Sequence, residues 1–173
     1  MPLFSFEGKH PSIHPSAFIA ETATIVGDVT IEEGASVWYN AVVRADFGPV
    51  LIQAGANIQD GSIVHGAGDV VIGPGTTIAH LCVVHGAHIG TEALIGNGAV
   101  VQDGVPIGDR AMVAAGTLVP PNTVIEAETL YRGAAANTAG PLSTGARFWV
   151  ETNPQAYRDL ANRHIAGVTQ LGR

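Results

Sequence analysis

Cysteine is almost missing from this chain: Cys82 is the single one in 173 residues. That excludes an intrachain disulfide framework and suits a reducing compartment, so a cytoplasmic location is expected. Charge is scarce as well, at 13% of residues, and eight Lys and Arg against fifteen Asp and Glu leave a net −7. Nucleic acid and anionic membranes both need a basic face, so neither is expected as a partner. No apolar run is long enough to span a bilayer. The opening MPLFSFEGKH lacks the charged-then-apolar layout of a secretion signal. Turn formers, by contrast, abound: 22 glycines and 10 prolines point to many turns and little helix. The length suits one domain with a real core.

A β-branched aliphatic residue returns every six positions, in Ile13, Ile19, Ile25, Ile31, Val37 and Val43. The series resumes at Ile52, Ile58 and Val64, again at Ile72, Ile78 and Val84, and runs from Ile89 through Ile95, Val101, Ile107, Val113 and Val119 to Ile125. Four positions after each anchor lies a small residue, except at Phe47 and His88. A period of six is neither helical nor a plain strand alternation. It fits a short strand plus a turn, with the aliphatic side chain pointing into a narrow core and the small one at a tight corner. Three such units per coil predict a triangular β-solenoid with coils stacked about 4.8 Å apart.

The irregularities share one corner. The anchor spacing lengthens from Val43 to Ile52 and from Val64 to Ile72, and shortens from Val84 to Ile89. Those breaks recur three units apart, so they stack, and Phe47 and His88 fall at the same corner. An irregular corner repeated on successive coils is where a solenoid would hold a site.

Residues at one offset three units apart form vertical columns. Arg44, His65 and His85 each follow their anchor directly and should stack, with Gln102 above; Asp60, His80 and Asn97 form a second column on another face. His65 and His85 thus lie one coil apart, close enough for one cation, while His80 projects elsewhere. Three neutral imidazoles with an open fourth position make a catalytic zinc site. Completing it requires a second chain to present its His80, which a homotrimer does at each interface.

Within that repeat, RAD (Arg44, Asp46), NIQDGSIVH (Gln59, Asp60, His65) and AHLCVVHG (His80, His85) resemble the gamma-class carbonic anhydrases. The resemblance covers nearly the whole chain, including NPQAYRDLANRH. It implies an all-β, left-handed parallel β-helix of hexapeptide repeats with a C-terminal α-helix. It also implies Zn2+, with Fe2+ or Co2+ as alternatives, on His65, His80 and His85. The reaction implied is reversible hydration of CO2 to bicarbonate by a metal-bound hydroxide at the interfaces of a homotrimer. Gln59 matches the residue that orients that hydroxide, Asp60 its neighbour, and Arg44 and Asp46 a pair bridging the trimer interface. Tyr157 matches a tyrosine that approaches the site. The two loops expected at the irregular corner, DFGPVLI and HGAGDVVIG, lack the acidic-loop glutamates of the best-known branch, so low activity is expected. His88 reads as a rim or turn residue outside the metal site and, alternatively, with Asp69 as a candidate proton shuttle, a route turnover requires. Ala79 stands before His80 where glycine is usual, and Asn97 where an apolar residue is common.

Residues 1–135 are read as the β-helix, 136–150 as a linker and 151–171 as the helix. Thr152 or Asn153 is its expected cap, Pro154 lies in its first turn, and Tyr157, Leu160, Ala161, His164, Ile165 and Val168 share one face. Cys82 reads as a packed thiol, and His10, His14 and His164 as surface or packing residues. Trp38 and Tyr39 are expected at an interface or under the helix. Two other functions compete. A hexapeptide acyltransferase would need one catalytic histidine beside an acyl channel. A non-catalytic metal- or siderophore-binding protein would keep the ligands without the chemistry.

Overall fold

A computed structural model of the protein describes residues 2–133 and 138–169. Its strands are short and almost all parallel, wound into a β-solenoid of about seven coils. The six-residue ruler explains the register. On one face Ile25 pairs with Val43, Val43 with Val64, Val64 with Val84, and Val84 with Val101. On a second, Ile52 pairs with Ile72 and Ile72 with Ile89. On a third, Val37, Ile58, Ile78, Ile95 and Val113 stack in turn. Every anchor except Ile13 and Ile19 is buried. Each such side chain contributes about 1.5–3 kcal/mol by leaving water, so the core is a continuous aliphatic column.

The corners require left-handed backbone at recurring positions. Asn40, Gly61, Leu81, Gly98 and Gly116 occupy one such corner, all at positive φ. Glycine and asparagine take that conformation readily; Leu81, at φ 59°, does so at a cost of about 1–2 kcal/mol. At the irregular corner the expected loop of DFGPVLI is instead part of one strand, Val42–Ile52, paired with Thr24–Ile31 across a register shift between Gly27 and Val29. Gly27 and Gly48 make this possible. A Cβ on Gly27 would strike the Ala45 carbonyl, and one on Gly48 would lie 2.5 Å from the Gly68 carbonyl carbon.

The chain ends in a helix, Thr144–Gly167. It starts about two turns before the expected 151 and takes up much of the expected linker, which also contains the strand Thr138–Pro141. Residues 134–137 and 170–171 lie outside the described residues. The cap is Ser143, whose Oγ accepts from the Ala146 amide at 3.2 Å, so Thr152 and Asn153 are interior and Pro154 sits mid-helix. A mid-helix proline forfeits one backbone hydrogen bond. Here it is buried, with its ring facing Gly75, where the missing side chain leaves room. Tyr157, Leu160 and Ala161 pack on the core as expected, whereas Ile165 and Val168 are exposed. Trp38 and Tyr39 lie under this helix: Trp38 meets Tyr157 edge-on, and His164 stacks among Phe18, Trp38 and Tyr39 while hydrogen bonding the Tyr39 hydroxyl. No helix among the described residues is long and apolar enough to cross a membrane.

Candidate functional site

His65 and His85 end two neighbouring strands, Ile63–His65 and Val83–His85, and are direct Cα partners. Their rings lie 5.1 Å apart, centroid to centroid, as the column argument expects. His80 belongs to the next corner, held by backbone bonds to both adjoining coils: the Leu81 amide donates to the Asp60 carbonyl and the Gly98 amide to the His80 carbonyl. Ser62 fixes the turn from below, donating to the Ala79 carbonyl and accepting from the Cys82 amide. Among the described residues of one chain, no group of three or more His, Cys, Asp or Glu is placed to hold a metal ion.

Each of the three imidazoles has a carboxylate beside one nitrogen, hydrogen bonded at His65 and His85 and within ion-pair distance at His80. Asp46 Oδ1 lies 2.7 Å from His65 Nε2, Asp60 Oδ2 3.1 Å from His80 Nδ1, and Asp103 Oδ1 2.8 Å from His85 Nδ1. At His65 and His85 the carboxylate draws the ring proton to the nitrogen it faces, leaving a lone pair on the other. That is the tautomer a metal-binding histidine needs, with its outer partner already in place. The donor set therefore fits a divalent cation, provided a second chain brings its His80.

Asp103 is a residue that motif reading did not find. On the six-residue ruler Gln102 stands above His85, and Asp103 comes one residue later. It reaches back because Gly86 has no side chain; a Cβ there would overlap the Asp103 carboxylate. An acidic residue beside a stacked column and opposite a glycine is the signal that could have found it.

Arg44 pairs with Asp46 of its own chain. The expected pairing across an interface is not what the single chain displays, because the two side chains, two residues apart on one strand, point the same way. Burial works to raise the Asp46 pKa, but the hydrogen bond from His65 and the Arg44 charge outweigh it and hold the carboxyl below its ordinary value. His88 and Asp69 are exposed at the irregular corner with their nearest polar atoms 3.7 Å apart, beyond hydrogen-bond reach.

Gln59, His80, Asn97 and Tyr157 all line one cleft of about 450 Å³ between the third face and the helix. The Tyr157 hydroxyl is 3.3 Å from His80 Nε2. Burial, reinforced by the Asp60 charge, pushes its pKa up to about 12, so it stays a neutral donor. Gln59, almost wholly buried, donates through Nε2 to Asn57 Oδ1; Asn57 and Asn153 both donate to Thr77 Oγ1. This chain of amides ties the helix to the coil and leaves the Gln59 carbonyl oxygen as its acceptor end. Cys82 is buried, and that burial pushes its thiol up to about 11, as fits a packed residue.

The outward side chains of the first face form an apolar ladder, Val42, Ile63, Val83, Val100 and Leu118, each the direct partner of the next. Ile63 and Leu118 are more than two-fifths exposed and Phe47, against the His65 ring, is 72% exposed. Nothing among the described residues covers them.

No protein-family model matches the chain. Among curated proteins it is 38% identical over 165 residues to the carnitine operon protein CaiE of Escherichia coli, spanning 94% of this chain and 84% of that one. A hexapeptide transferase family protein from Anaplasma phagocytophilum superposes with a TM-score of 0.89 at 32% identity, over 93% and 96% of the two chains. A Bacillus cereus protein named as an acetyltransferase gives 0.91 at 32% identity, over 95% and 96%. None of these three is named a carbonic anhydrase. What the likeness establishes is the broader hexapeptide-repeat grouping and its left-handed winding.

Proposed function

The chain belongs to the CaiE-like hexapeptide-repeat proteins with a left-handed parallel β-helix, and from that premise we propose a metal-dependent enzyme of the carbonic anhydrase type. Its site forms where His65 and His85 of one chain meet His80 of the next in a homotrimer, and its substrate is CO2 or bicarbonate. The observation that carries this is the matched set of carboxylates on all three imidazoles. The apolar ladder beside His65 and His85 supports the assembly, since a bare face of this kind wants a partner. A bound divalent cation, Zn2+ or alternatively Fe2+ or Co2+, would supply Lewis acidity and bring the pKa of a coordinated water to about 7.

The remaining work falls to this chain's own groups. Asp46 and Asp103 hold the His65 and His85 rings in one tautomer and orientation, and Asp60 sets a negative charge beside His80 Nδ1. The Gln59 carbonyl, fixed by its bond to Asn57, accepts a hydrogen bond and so orients whatever hydroxyl enters the cleft. The neutral Tyr157 hydroxyl donates to a developing oxyanion beside His80. His88 and Asp69, both facing solvent, are the proposed exit for the proton.

Acyl transfer is the second reading, and the relatives' names support it more directly than they support CO2 hydration. A feature of the site supports it too. His80, with Asp60 beside Nδ1 and its Nε2 turned into the cleft against the Tyr157 hydroxyl, has the form of a general base. One experiment separates the two. Metal content of anaerobically purified protein and stopped-flow CO2 hydration are measured beside acetyl-coenzyme A turnover by chelator-treated protein, each with wild type and His80→Ala. About one metal per chain and metal-dependent hydration, both lost in the variant, are expected. Acetyl transfer by metal-free wild type, lost in His80→Ala, would replace the first reading with the second.

A further inference from the structure

The cleft beside His80 is far larger than CO2 requires, and its composition changes along its length. Gln59, His80 and Tyr157 mark its lower end. Moving up the coils, the outward residue of the third face changes from Thr77 to Leu94 and then Met112, one and two coils higher. The helix runs beside them in the opposite sense: Tyr157 sits by His80, Asn153 by Thr77, and Trp149 lines the cleft with Leu94 and Met112. Eight residues of helix separate Trp149 from Tyr157, roughly 12 Å of rise. The cleft is thus a slot with hydrogen-bonding groups at one end and a mostly apolar wall along the rest, interrupted by Asn97 and by Asn153, whose amide is engaged by Thr77.

Charge narrows what fits. Among the described residues no lysine or arginine lines the slot, and a negative charge stands nearby at Asp60, 3.1 Å from His80 Nδ1. A carboxylate or phosphate would enter without a counter-ion, which is costly. A neutral carbonyl compound matches both ends: its oxygen accepts from the Tyr157 hydroxyl, an adjoining N–H can donate to the Gln59 carbonyl, and its chain lies against Leu94, Met112 and Trp149. At about 450 Å³ the slot falls in the size range of small-molecule sites.

We propose that this slot binds the acyl portion of a neutral amide, ester or thioester, with the carbonyl at His80 and Tyr157 and a chain of roughly six carbons along the helix. The proposal rests on the reaction taking place beside His80, a metal ligand in the first reading above and a general base in the second.

The test is binding of straight-chain primary amides, propanamide to octanamide, to the full chain as purified and after chelation, followed by calorimetry. Affinity should rise about fourfold per methylene up to roughly hexanamide and then level off. Hexanoate should bind chelated protein at least tenfold more weakly than hexanamide. Met112→Trp, which fills the slot, and Trp149→Ala, an exposed position that spares the fold, should each flatten the chain-length dependence while melting temperature and metal content hold. Affinity indifferent to chain length in wild type, hexanoate binding as tightly as hexanamide, or an unchanged slope in both variants would each overturn the slot. A missing metal would sink the carbonic anhydrase reading and leave the amide series fully readable.

Discussion

The first and third faces of the solenoid carry the same kind of strand at the same spacing, yet they are finished in opposite ways. Outward residues on the third face include Ser36, Asn57 and Thr77, small and polar, and they are buried because the helix lies over them. Outward residues on the first face are Val42, Ile63, Val83, Val100 and Leu118, all apolar, with Ile63 and Leu118 exposed and the three valines partly so. The third face closes on its own chain, through the Asn153–Thr77 hydrogen bond on its polar part and through apolar packing of Leu94 against Ala146 and Val150 higher up. The apolar face offers area with no direction, the kind of surface that associates with a second copy. The histidines divide along the same line: His65 and His85 on the open face, His80 beside the closed one.

Mixing chains attacks that division most directly. His80→Ala and His85→Ala should each lose bound metal and the activity that depends on it. Trimers assembled from equal amounts of the two should recover about a quarter of the wild-type metal, the share of interfaces that receive an intact half from each neighbour. No recovery, by elemental analysis and stopped flow, would place the site within one chain.

Charging the open face comes next. Ile63→Asp with Leu118→Asp should disperse the trimer in sedimentation while the chain keeps its β-rich circular dichroism, because neither residue contributes to the aliphatic column. Asp103→Ala should then weaken metal binding 10–100-fold, the usual cost of removing a carboxylate behind a ligating histidine; an unchanged affinity in a competitive chelator titration would free Asp103 of that role.

A smaller effect is expected at Leu81, exposed and left-handed where its column neighbours are glycine or asparagine. Leu81→Gly should raise single-chain stability by about 1 kcal/mol in denaturant titrations yet weaken assembly, if Leu81 is retained for contact with a partner. The slightest change is at Cys82. With its pKa near 11, native protein at pH 8 should label with thiol reagents only as fast as it opens, and denatured protein at once. The folded chain holds the thiol proton above pH 9, where the unfolded chain releases it. This contribution to stability is complete below pH 9 and fades as pH rises toward 11.

Much of this was legible from residue order. The anchors from Ile25 to Ile125 place themselves, since a six-residue period of β-branched residues has few ways to bury itself. The stacking of His85 on His65 follows by counting. The start of the helix was not legible: Pro154 reads as a first-turn residue by local preference, and only its burial near Gly75 lets it sit mid-helix. The corner at Phe47 read as a loop, because the glycine contacts that keep it extended come from neighbouring coils.

By itself the sequence determined the solenoid, its three columns and the separation of His80 from His65 and His85, because each depends on a repeat that local chemistry enforces. Tertiary structure alone decided that Asp103 stands behind His85, that Tyr157 comes to His80, and that a polar-to-apolar slot runs beneath the helix. Those contacts join residues from different coils or from the solenoid and the helix, and a six-residue ruler does not record where a helix lies across it.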